Sequence, residues 1–472
     1  MEGRANSAID KNTMRPLMKP LRSILITLIA AIAFLTFTQP TWAFCGFYVA
    51  KADTSLYNEA SQVIIARQGD RTVLTMANDY QGEVADFAMV VPVPTVLQEG
   101  QVNVGDPAIV QRLDDFSAPR LVEYFDPDPC EPVVFFDTLS ESAPSAPASG
   151  ATRSAGGEAL GVTVEAEFAV GGYDIVILSA EESSGLETWL IQNEYNIPTG
   201  ARDLLQPYIR QGLKFFVAKV NLAEFDRSGF QTLRPLQIAY ESPRFMLPIR
   251  LGMMNAQAEQ DLVVYLLSAD GQVELTNYRT AKISSNAEIP VFVKDEFPAF
   301  YTAMFDRSYQ RENREVAFLE YAWNMRGCDP CSADPLSPEE LRQAGVFWVS
   351  PNADPWNTNV FITRLHVRYS RDKFPEDLMF QQTNNQEFFQ GRYVLRHPFA
   401  GDMSCPAGEA YRQLLPQRFE AEAQTLARLT GWDISEIRRR QPTLEEATEP
   451  TPWWDTLWQR SGHLWEQIAS WG

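Results

Sequence analysis

The sequence lacks the motifs on which most catalytic sites depend. Histidine is scarce, because only His366, His397 and His463 occur among 472 residues. The chain contains no His-Glu-x-x-His, Gly-x-Ser-x-Gly, P-loop or Gly-x-Gly-x-x-Gly motif. It therefore offers no support for a zinc protease, a serine hydrolase, a nucleotide hydrolase or a dinucleotide-binding enzyme. We expect no catalytic residues and no cofactor, which favours a non-enzymatic protein over an enzyme.

Basic residues are too few for a nucleic-acid-binding surface. The chain has 40 Lys and Arg residues against 61 Asp and Glu residues, which gives a net charge of −21. Binding to nucleic acid or to an anionic membrane requires clustered positive charge. We therefore expect no nucleic-acid partner, and we interpret the acidic excess as an aid to solubility outside the cytoplasm.

The apolar run near the N-terminus is too short for a typical bilayer span. Residues 24–37 form an uncharged segment of about 14 residues, as in the apolar region of a signal peptide. The basic residues Arg15, Lys19 and Arg22 precede it, and a proline and a small-x-small cleavage site follow (Pro40; Thr41-Trp42-Ala43). We predict a signal peptide at 1–43, cleaved after Ala43, and an exported protein that is periplasmic or extracellular. The alternative is an uncleaved N-terminal anchor.

Cysteine is also scarce, and all five cysteines lie beyond the predicted cleavage site. Cysteines in an oxidising compartment usually form structural disulfides, so the disulfide candidates are Cys45, Cys130, Cys328, Cys331 and Cys405. Spacing does not determine their connectivity. Our prediction pairs Cys45 with Cys130 and places one bridge among the other three. Because Cys45 follows Phe44 and not a small residue, we interpret it as a disulfide partner and not as a lipid anchor.

Cys328 and Cys331 form a Cys-x-x-Cys motif that has two further interpretations. One is a redox pair, although the surrounding turn is rich in Gly, Asp, Pro and Ser and has no thioredoxin-like context. The other is a zinc site completed by Cys405 and either His366 or His397. Structural zinc needs four nitrogen or sulfur ligands, and the chain has only this one Cys-x-x-Cys and no matching second pair. We therefore expect no metal site here.

Two acidic groupings are candidates for calcium. They are Asp114 with Asp115, and Asp126 with Asp128 and Glu131. Calcium takes roughly six to eight oxygen ligands, usually from a loop with a turn-forming glycine. The stiff Asp-Pro-Asp-Pro segment has no such glycine, so a solvated loop beside a disulfide is the preferred interpretation.

The distribution of apolar and turn-forming residues predicts an α+β fold, with β-rich mixed sheets, flanking helices and two or more packed subdomains. After the signal peptide we distinguish a β-rich region at 44–139, a Ser/Ala/Pro/Gly linker or loop at 140–157 and an α+β region at 158–316. A cysteine-containing region at 317–441 and an acidic spacer with a Trp-rich tail at 442–472 follow.

Local patterns predict individual elements. The pattern predicts a hairpin around Gly69, formed by residues 62–67 and 72–77, and a strand at 87–94. It also predicts short helices at 110–116 and 119–124, and a helix capped by Ser337 after the Cys-x-x-Cys turn. Residues 361–369 alternate like a half-exposed strand. His366 falls within that strand, so we interpret it as a structural residue, and His397 as a residue at a loop edge.

The C-terminal tail carries an aromatic stripe. Trp454, Trp458 and Trp465 lie near one face if the tail is helical. Packing on the protein's own body is the first interpretation, and peripheral contact with a membrane or a partner protein is the alternative.

Seven segments of the chain resemble an exported bacterial family known as domain of unknown function 2330. They are CGFYV (45–49), YNEASQV (57–63), TMANDY (75–80), FAMVVPVP (87–94), YFDPDPC (124–130), CDPC (328–331) and RYVLRHP (392–398). The resemblance implies an exported protein without an assigned activity and supplies no catalytic residues.

The leading hypothesis is an exported, envelope-associated protein that acts as a non-enzymatic binding or structural module. Its partner is then an unknown envelope protein or ligand. The alternative is an envelope thiol–disulfide enzyme that uses Cys328 and Cys331.

Overall fold

Mixed β-sheets with helices on their outer faces make up the structure, which confirms the predicted α+β class. The computed structural model describes residues 47–50, 57–81, 87–131, 162–193, 201–221, 234–254, 259–328, 333–354 and 357–448. The predicted signal peptide, the 140–157 linker and the Trp-rich tail lie outside these residues, as do Cys45 and Cys331.

Twenty strands and eight helices occur in the described ranges. The strands are β1 Phe47–Ala50, β2 Tyr57–Gln68, β3 Arg71–Gln81, β4 Phe87–Val93, β5 Val102–Val104, β6 Arg120–Phe125, β7 Val162–Val170, β8 Tyr173–Ala180, β9 Lys214–Val220, β10 Leu236–Glu241, β11 Met246–Leu247, β12 Gln260–Ser268, β13 Val273–Leu275, β14 Arg279–Lys282, β15 Ala287–Glu288, β16 Val316–Asn324, β17 Phe361–Tyr369, β18 Leu378–Gln382, β19 Phe389–Gln390 and β20 Arg392–His397. The helices are α1 Pro107–Ser117, α2 Ser183–Gln192, α3 Ala201–Arg210, α4 Phe297–Arg311, α5 Pro338–Gln343, α6 Pro406–Thr430, α7 Ile434–Arg440 and α8 Leu444–Thr448.

A nine-stranded sheet forms the centre of the fold. Its order is β14-β16-β17-β12-β2-β3-β10-β5, with β19 beside β16. The predicted hairpin of β2 and β3 turns at Gly69, whose φ of 59° suits a residue without a Cβ. β12 runs parallel to β2 and antiparallel to β17. The sheet therefore combines strands from all three regions that the sequence distinguishes.

A five-stranded sheet packs against one face of the nine-stranded sheet. Its order is β1-β4-β9-β8-β7, and Val91 and Phe216 from it share a core with Val63 and Val264 of the larger sheet. Helices α2 and α3 cover its outer face. Helices α1, α4 and α5 cover the far face of the nine-stranded sheet. Because both faces of the central strands are buried, their sequences form continuous apolar runs, such as residues 63–66.

Two three-stranded sheets complete the fold, in the orders β11-β18-β13 and β15-β20-β6. The predicted helix at 119–124 is wrong, because residues 120–125 form β6. This strand runs parallel to β20, with Arg120 opposite Arg392 and Phe125 opposite His397. A short segment takes the conformation that satisfies its backbone hydrogen bonds. Here the partner strand lies far along the chain, where no local pattern can indicate it.

The prediction that residues 361–369 form a half-exposed strand is also wrong in one respect. The strand exists as β17, but both of its faces are buried. Its polar side chains are covered by α1 and α4 and are paired with buried carboxylates. The alternation of polar and apolar residues therefore reflects a buried polar face and not a solvated one.

The predicted helix start at Ser337 is confirmed. Its hydroxyl accepts from the Glu340 N–H, and the Glu340 carboxylate accepts in return from the Ser337 N–H, a reciprocal capping box. Within the described part of the chain, no helix combines the length and the apolar character that a bilayer crossing requires.

Candidate functional site

Strand β17 presents three basic side chains on the face of the central sheet opposite the sheet–sheet core. Arg364, His366 and Arg368 share this face because successive side chains of a strand point to opposite sides. Four carboxylates meet them, and together we call these seven residues the charge row: Arg364, His366, Arg368, Asp114, Asp261, Asp306 and Glu320.

His366 lies between two carboxylates. Its Nδ1 is 2.9 Å from Glu320 Oε1 and its Nε2 is 3.0 Å from Asp261 Oδ1, while its ring stacks on Phe305. Burial alone would favour the neutral imidazole, but Glu320 and Asp261 raise the pKa of His366 to about 9. The ring is therefore a cation at neutral pH, and both of its nitrogens are paired with carboxylates.

Glu320 joins His366 to Arg364. Its Oε2 accepts from Arg364 Nε at 2.6 Å, and the Tyr301 hydroxyl donates to its Oε1. Burial opposes the charge of this carboxylate, yet the cationic His366 and Arg364 lower the pKa of Glu320 to about 2. Arg364 also donates to Asp114 of α1 at 2.6 Å.

Arg368 closes the other end of the charge row. It donates to Asp261 through Nη2 at 2.7 Å and to Asp306 of α4 through Nη1 at 2.5 Å. Each basic group thus contacts two carboxylates, and the row joins α1 and α4 to the sheet. Loss of one partner from such a buried pair leaves an uncompensated charge in the interior.

The second histidine site lies on the surface. His397 ends β20, and its Nε2 is 2.8 Å from Glu123, which also pairs with Lys294. The imidazole stacks on Phe125, whose side chain is 72% exposed. His397 therefore lies at a strand end, supported by an ion pair and an exposed aromatic ring.

The structure joins Cys130 to Cys405, so the predicted pairing of Cys45 with Cys130 is wrong. The physical reason is the parallel pairing of β6 with β20, because the chain leaves both strands at the same edge of the sheet. Cys130 and Cys405 follow these strands, and their Cα atoms are 5.9 Å apart. Cys405 thus cannot take part in a bridge with Cys328 or Cys331.

The zinc alternative is also wrong, because the cysteines it needs as ligands are in disulfide bonds. It requires thiolates on Cys328 and Cys405, but Cys405 bonds to Cys130 and Cys328 is also disulfide-bonded. In addition, both ring nitrogens of His366 are already hydrogen-bonded to carboxylates. The redox interpretation depends on Cys331, which lies outside the described residues.

Four of the five acidic candidates for calcium have protein partners for their side chains, and the backbone N–H of the fifth, Glu131, donates to the Asp128 carbonyl. Asp126 accepts from Tyr411 and Arg418, and Asp128 accepts from the Cys130 N–H. Asp114 belongs to the charge row, and Asp115 accepts from Gln111. Across the described residues, no group of three or more His, Cys, Asp or Glu side chains is arranged to hold a metal ion.

A cleft of about 430 Å³, which we call the polar cleft, opens beside the edge strand β5. It lies between the β5–α1 turn, β10 and α5. Its lining residues are Asn103, Val104, Gly105, Asp106, Arg234, Gln237, Glu339, Arg342 and Gln343. Sequence reasoning missed it, because these residues become neighbours only when α5 packs beside β10.

Local contacts hold the lining in place. Asp106 caps α1 by accepting from the Ala108 N–H at 2.9 Å, and Glu339 accepts from Gln343 at 3.2 Å. Nη1 of Arg342 donates to the Val349 carbonyl at 2.9 Å. Beyond these contacts, the carboxylates of Asp106 and Glu339 have further lone pairs that can accept, and the guanidinium of Arg342 has further N–H groups that can donate.

The amide of Gln237 ties two walls of the cleft together. Its Nε2 donates to Thr75 Oγ1 at 2.9 Å and to the Gln343 carbonyl at 3.1 Å. Arg234 donates to the Gly105 and Val104 carbonyls across the β5 edge. The cleft therefore offers donors, acceptors and charges of both signs, which can form hydrogen bonds and ion pairs with a small polar ligand.

Comparison with known proteins places the chain in one family. A family model described as an uncharacterized protein conserved in bacteria, domain of unknown function 2330, matches residues 39–381. No curated protein and no solved structure matches the chain. The matched range includes Cys130 and the polar cleft, whereas β20, α6 and Cys405 follow it. Because the match covers most of the 472 residues, the chain belongs to the bacterial family of domain of unknown function 2330.

Proposed function

We propose that this protein is an exported, non-enzymatic binding module of the bacterial envelope and that the polar cleft holds its ligand. The observation that carries the proposal is the lining of the cleft. Two guanidinium groups, two carboxylates and three side-chain amides surround about 430 Å³ of space. A ligand that carries both charges and several hydrogen-bonding groups is complementary to such a lining. A short peptide with free termini has this chemistry.

The non-enzymatic part of the proposal is supported by the partners of the acid–base groups. His366 and its carboxylates are tied to one another and to two arginines beneath α1 and α4. His397 is paired with Glu123 on the surface. These groups stabilise elements of the fold and do not line the polar cleft.

The exported location is supported by the N-terminal sequence and by the Cys130–Cys405 disulfide. Structural disulfides are typical of oxidising compartments. Fractionation of cells that produce the full chain should recover the protein outside the cytoplasm, with Phe44 as its first residue. A cytoplasmic protein that retains residues 1–43 would contradict this part of the proposal.

Titration of the isotope-labelled protein with trialanine tests the cleft. We expect chemical-shift changes at cleft residues, with a dissociation constant of about 1 mM or lower, a binding free energy near −4 kcal/mol. The N-acetylated, C-amidated peptide lacks the terminal charges and should bind at least tenfold more weakly. If trialanine shifts no cleft residue at about 10 mM, roughly ten times that constant, the proposed site is wrong.

Variants separate specific binding from surface effects. Arg342→Ala removes a cleft guanidinium and should weaken trialanine binding at least tenfold. Arg202→Ala is the matched control, because Arg202 pairs with Glu187 on the surface and does not line the cleft. Equal binding by both variants would show that Arg342 does not contact the ligand.

A thiol–disulfide enzyme that uses Cys328 and Cys331 is the second candidate, because Cys328 is disulfide-bonded, as both an oxidised redox pair and a structural bridge require. The reduction potential of the Cys328-x-x-Cys331 motif distinguishes the two functions. A potential as oxidising as that of oxidoreductases, about −120 to −270 mV, would support catalysis, whereas one below about −300 mV indicates a structural bridge.

A further inference from the structure

We propose that the protonation of Glu422 controls how firmly α6 is docked on the β15-β20-β6 sheet, so that this helix is a pH-responsive latch. The latch is independent of the proposed binding function, because none of its residues lines the polar cleft. It consists of Glu422, Arg418 and Tyr411 of α6, Glu288 of β15, Arg396 of β20, and Asp126 after β6.

The first part of the argument is the way α6 is attached. Its N-cap residue Cys405 is bonded to Cys130, and the Cys405 Sγ accepts from the Gly408 N–H at 3.2 Å. Further along the helix, Ala423 and Leu426 pack in a core with Met304 and other residues of α4. The helix is thus tethered covalently at its start and held by side-chain packing beyond it.

The second part is the charge balance on the sheet side of α6. Asp126 accepts from Tyr411 and from Arg418 Nη1, both at 2.5 Å. Arg396 pairs with Glu288 at 2.8 Å and approaches Asp126 at 3.6 Å. Two guanidinium groups and two carboxylates therefore compensate one another before Glu422 is considered.

The third part is the position of Glu422 within this group. Its side chain is only 4% exposed, and its closest cation is Arg418, whose Nε is 3.5 Å from Oε1 without a hydrogen bond. Glu422 Oε1 and Arg418 Nε and Nη2 have no hydrogen-bond partner among the described residues. An ionised Glu422 is thus a third carboxylate beside two cations and the most deeply buried of the three, since Asp126 is 10% and Glu288 42% exposed. An uncompensated buried charge is unfavourable.

Protonation removes this excess charge and adds an O–H donor. Burial raises the pKa of Glu422 to about 7, with Arg418 opposing the shift and Glu288 and Asp126 adding to it. Opening of α6 would return the carboxyl to water, where its pKa is about 4.5. The proton therefore favours the docked helix at low pH, and docking weakens as the pH rises through 7.

The size of the effect follows from the two pKa values. Between pH 6 and pH 8 the docked state loses nearly all of its proton on Glu422, whereas the open state is already ionised. The docking equilibrium should therefore fall about tenfold over this range. Because Cys405 keeps the start of α6 attached, we expect local opening of the helix and not unfolding of the protein.

Hydrogen exchange of the full, oxidised chain tests the latch. After correction for the intrinsic pH dependence of exchange, protection of residues 415–430 should fall about tenfold from pH 6 to pH 8. Glu422→Gln imitates the protonated side chain and should keep its protection at both pH values. Glu420→Gln is the matched control, because Glu420 lies exposed on the same helix and pairs with Arg438. It should behave like the unaltered protein.

Two results would overturn the proposal. One is protection of α6 that does not change between pH 6 and pH 8 in the unaltered protein, and the other is an unchanged pH dependence in Glu422→Gln. A carboxyl ¹³C titration of the unaltered protein keeps the test decisive if this variant does not fold. A signal from Glu422 that titrates near pH 7 supports the latch, whereas titration near 4.5 contradicts it.

Discussion

Glu320 Oε1 lies 2.9 Å from His366 Nδ1 beneath α4, although 46 residues separate them. Glu320 follows Phe318 by two positions, so strand alternation places both on the helix-covered face, opposite the sheet–sheet core that Leu319 joins. A β-bulge between Leu319 and Tyr321 then turns Tyr321 to the same face as Glu320. The buried imidazolium and guanidinium of β17 thereby gain their shared carboxylate.

Loss of that carboxylate should destabilise the protein strongly. Glu320→Ala leaves Arg364 and His366 without a common partner in the interior, and removal of one member of a buried ion pair typically lowers the free energy of unfolding by about 3–5 kcal/mol. Urea denaturation measures the change. Glu312→Ala, which breaks a surface pair with Arg279, should lower the free energy by less than about 1 kcal/mol. A comparable small loss in both variants would contradict the role of the charge row.

The stability of the protein should fall between pH 6.5 and pH 9. The pKa of His366 is raised from 6.5 to about 9 in the folded state. Its contribution is therefore complete below pH 6.5 and is lost as the pH rises through 9. The shift corresponds to a contribution on the order of 3 kcal/mol. Free energies of unfolding across this range should decline in the unaltered protein and decline less in His366→Gln. Parallel pH profiles would show that His366 does not bind its proton more tightly on folding.

The Cys130–Cys405 bridge should contribute substantially to stability. It joins residues 275 positions apart, and a disulfide that closes a long loop restricts the unfolded chain, typically by about 3–5 kcal/mol. The double variant Cys130→Ser, Cys405→Ser should unfold at a correspondingly lower urea concentration. Mass spectrometry of unreduced peptides should identify the pair directly. A peptide that joins Cys45 to Cys130 would contradict the structure.

Gly345 should tolerate no side chain. Its φ is +96°, and an added Cβ would lie 2.6 Å from Val73 Cγ1. Gly345→Ala therefore combines backbone strain with a steric clash, and we expect a loss of about 1–3 kcal/mol in the free energy of unfolding. Gly100→Ala is the control, because a Cβ there meets no atom within 4 Å and its φ is not positive. Thermal unfolding of both variants would show whether the effect is specific to Gly345.

Elements with strong local signals could be predicted from the sequence. The hairpin around Gly69 and the helix that begins after Ser337 have turn and capping residues at fixed offsets, and both are confirmed. Strand β6 has no such local signal. Its hydrogen bonds go to β20, which lies more than 250 residues further along the chain. Alternation in β17 predicts a solvated polar face, and the prediction is wrong because alternation alone cannot distinguish water from buried carboxylates.

By itself, the sequence determined the α+β class and the membership of the family. Local propensity, periodicity and family-specific segments depend on residues that are close along the chain, so one sequence contains them. Only the tertiary structure decided that Cys130 pairs with Cys405, that Glu320 and Asp261 hold His366, and that Glu422 is buried near Asp126. These relationships depend on which distant strands and helices pack together, and side-chain chemistry at each position is compatible with many such partners.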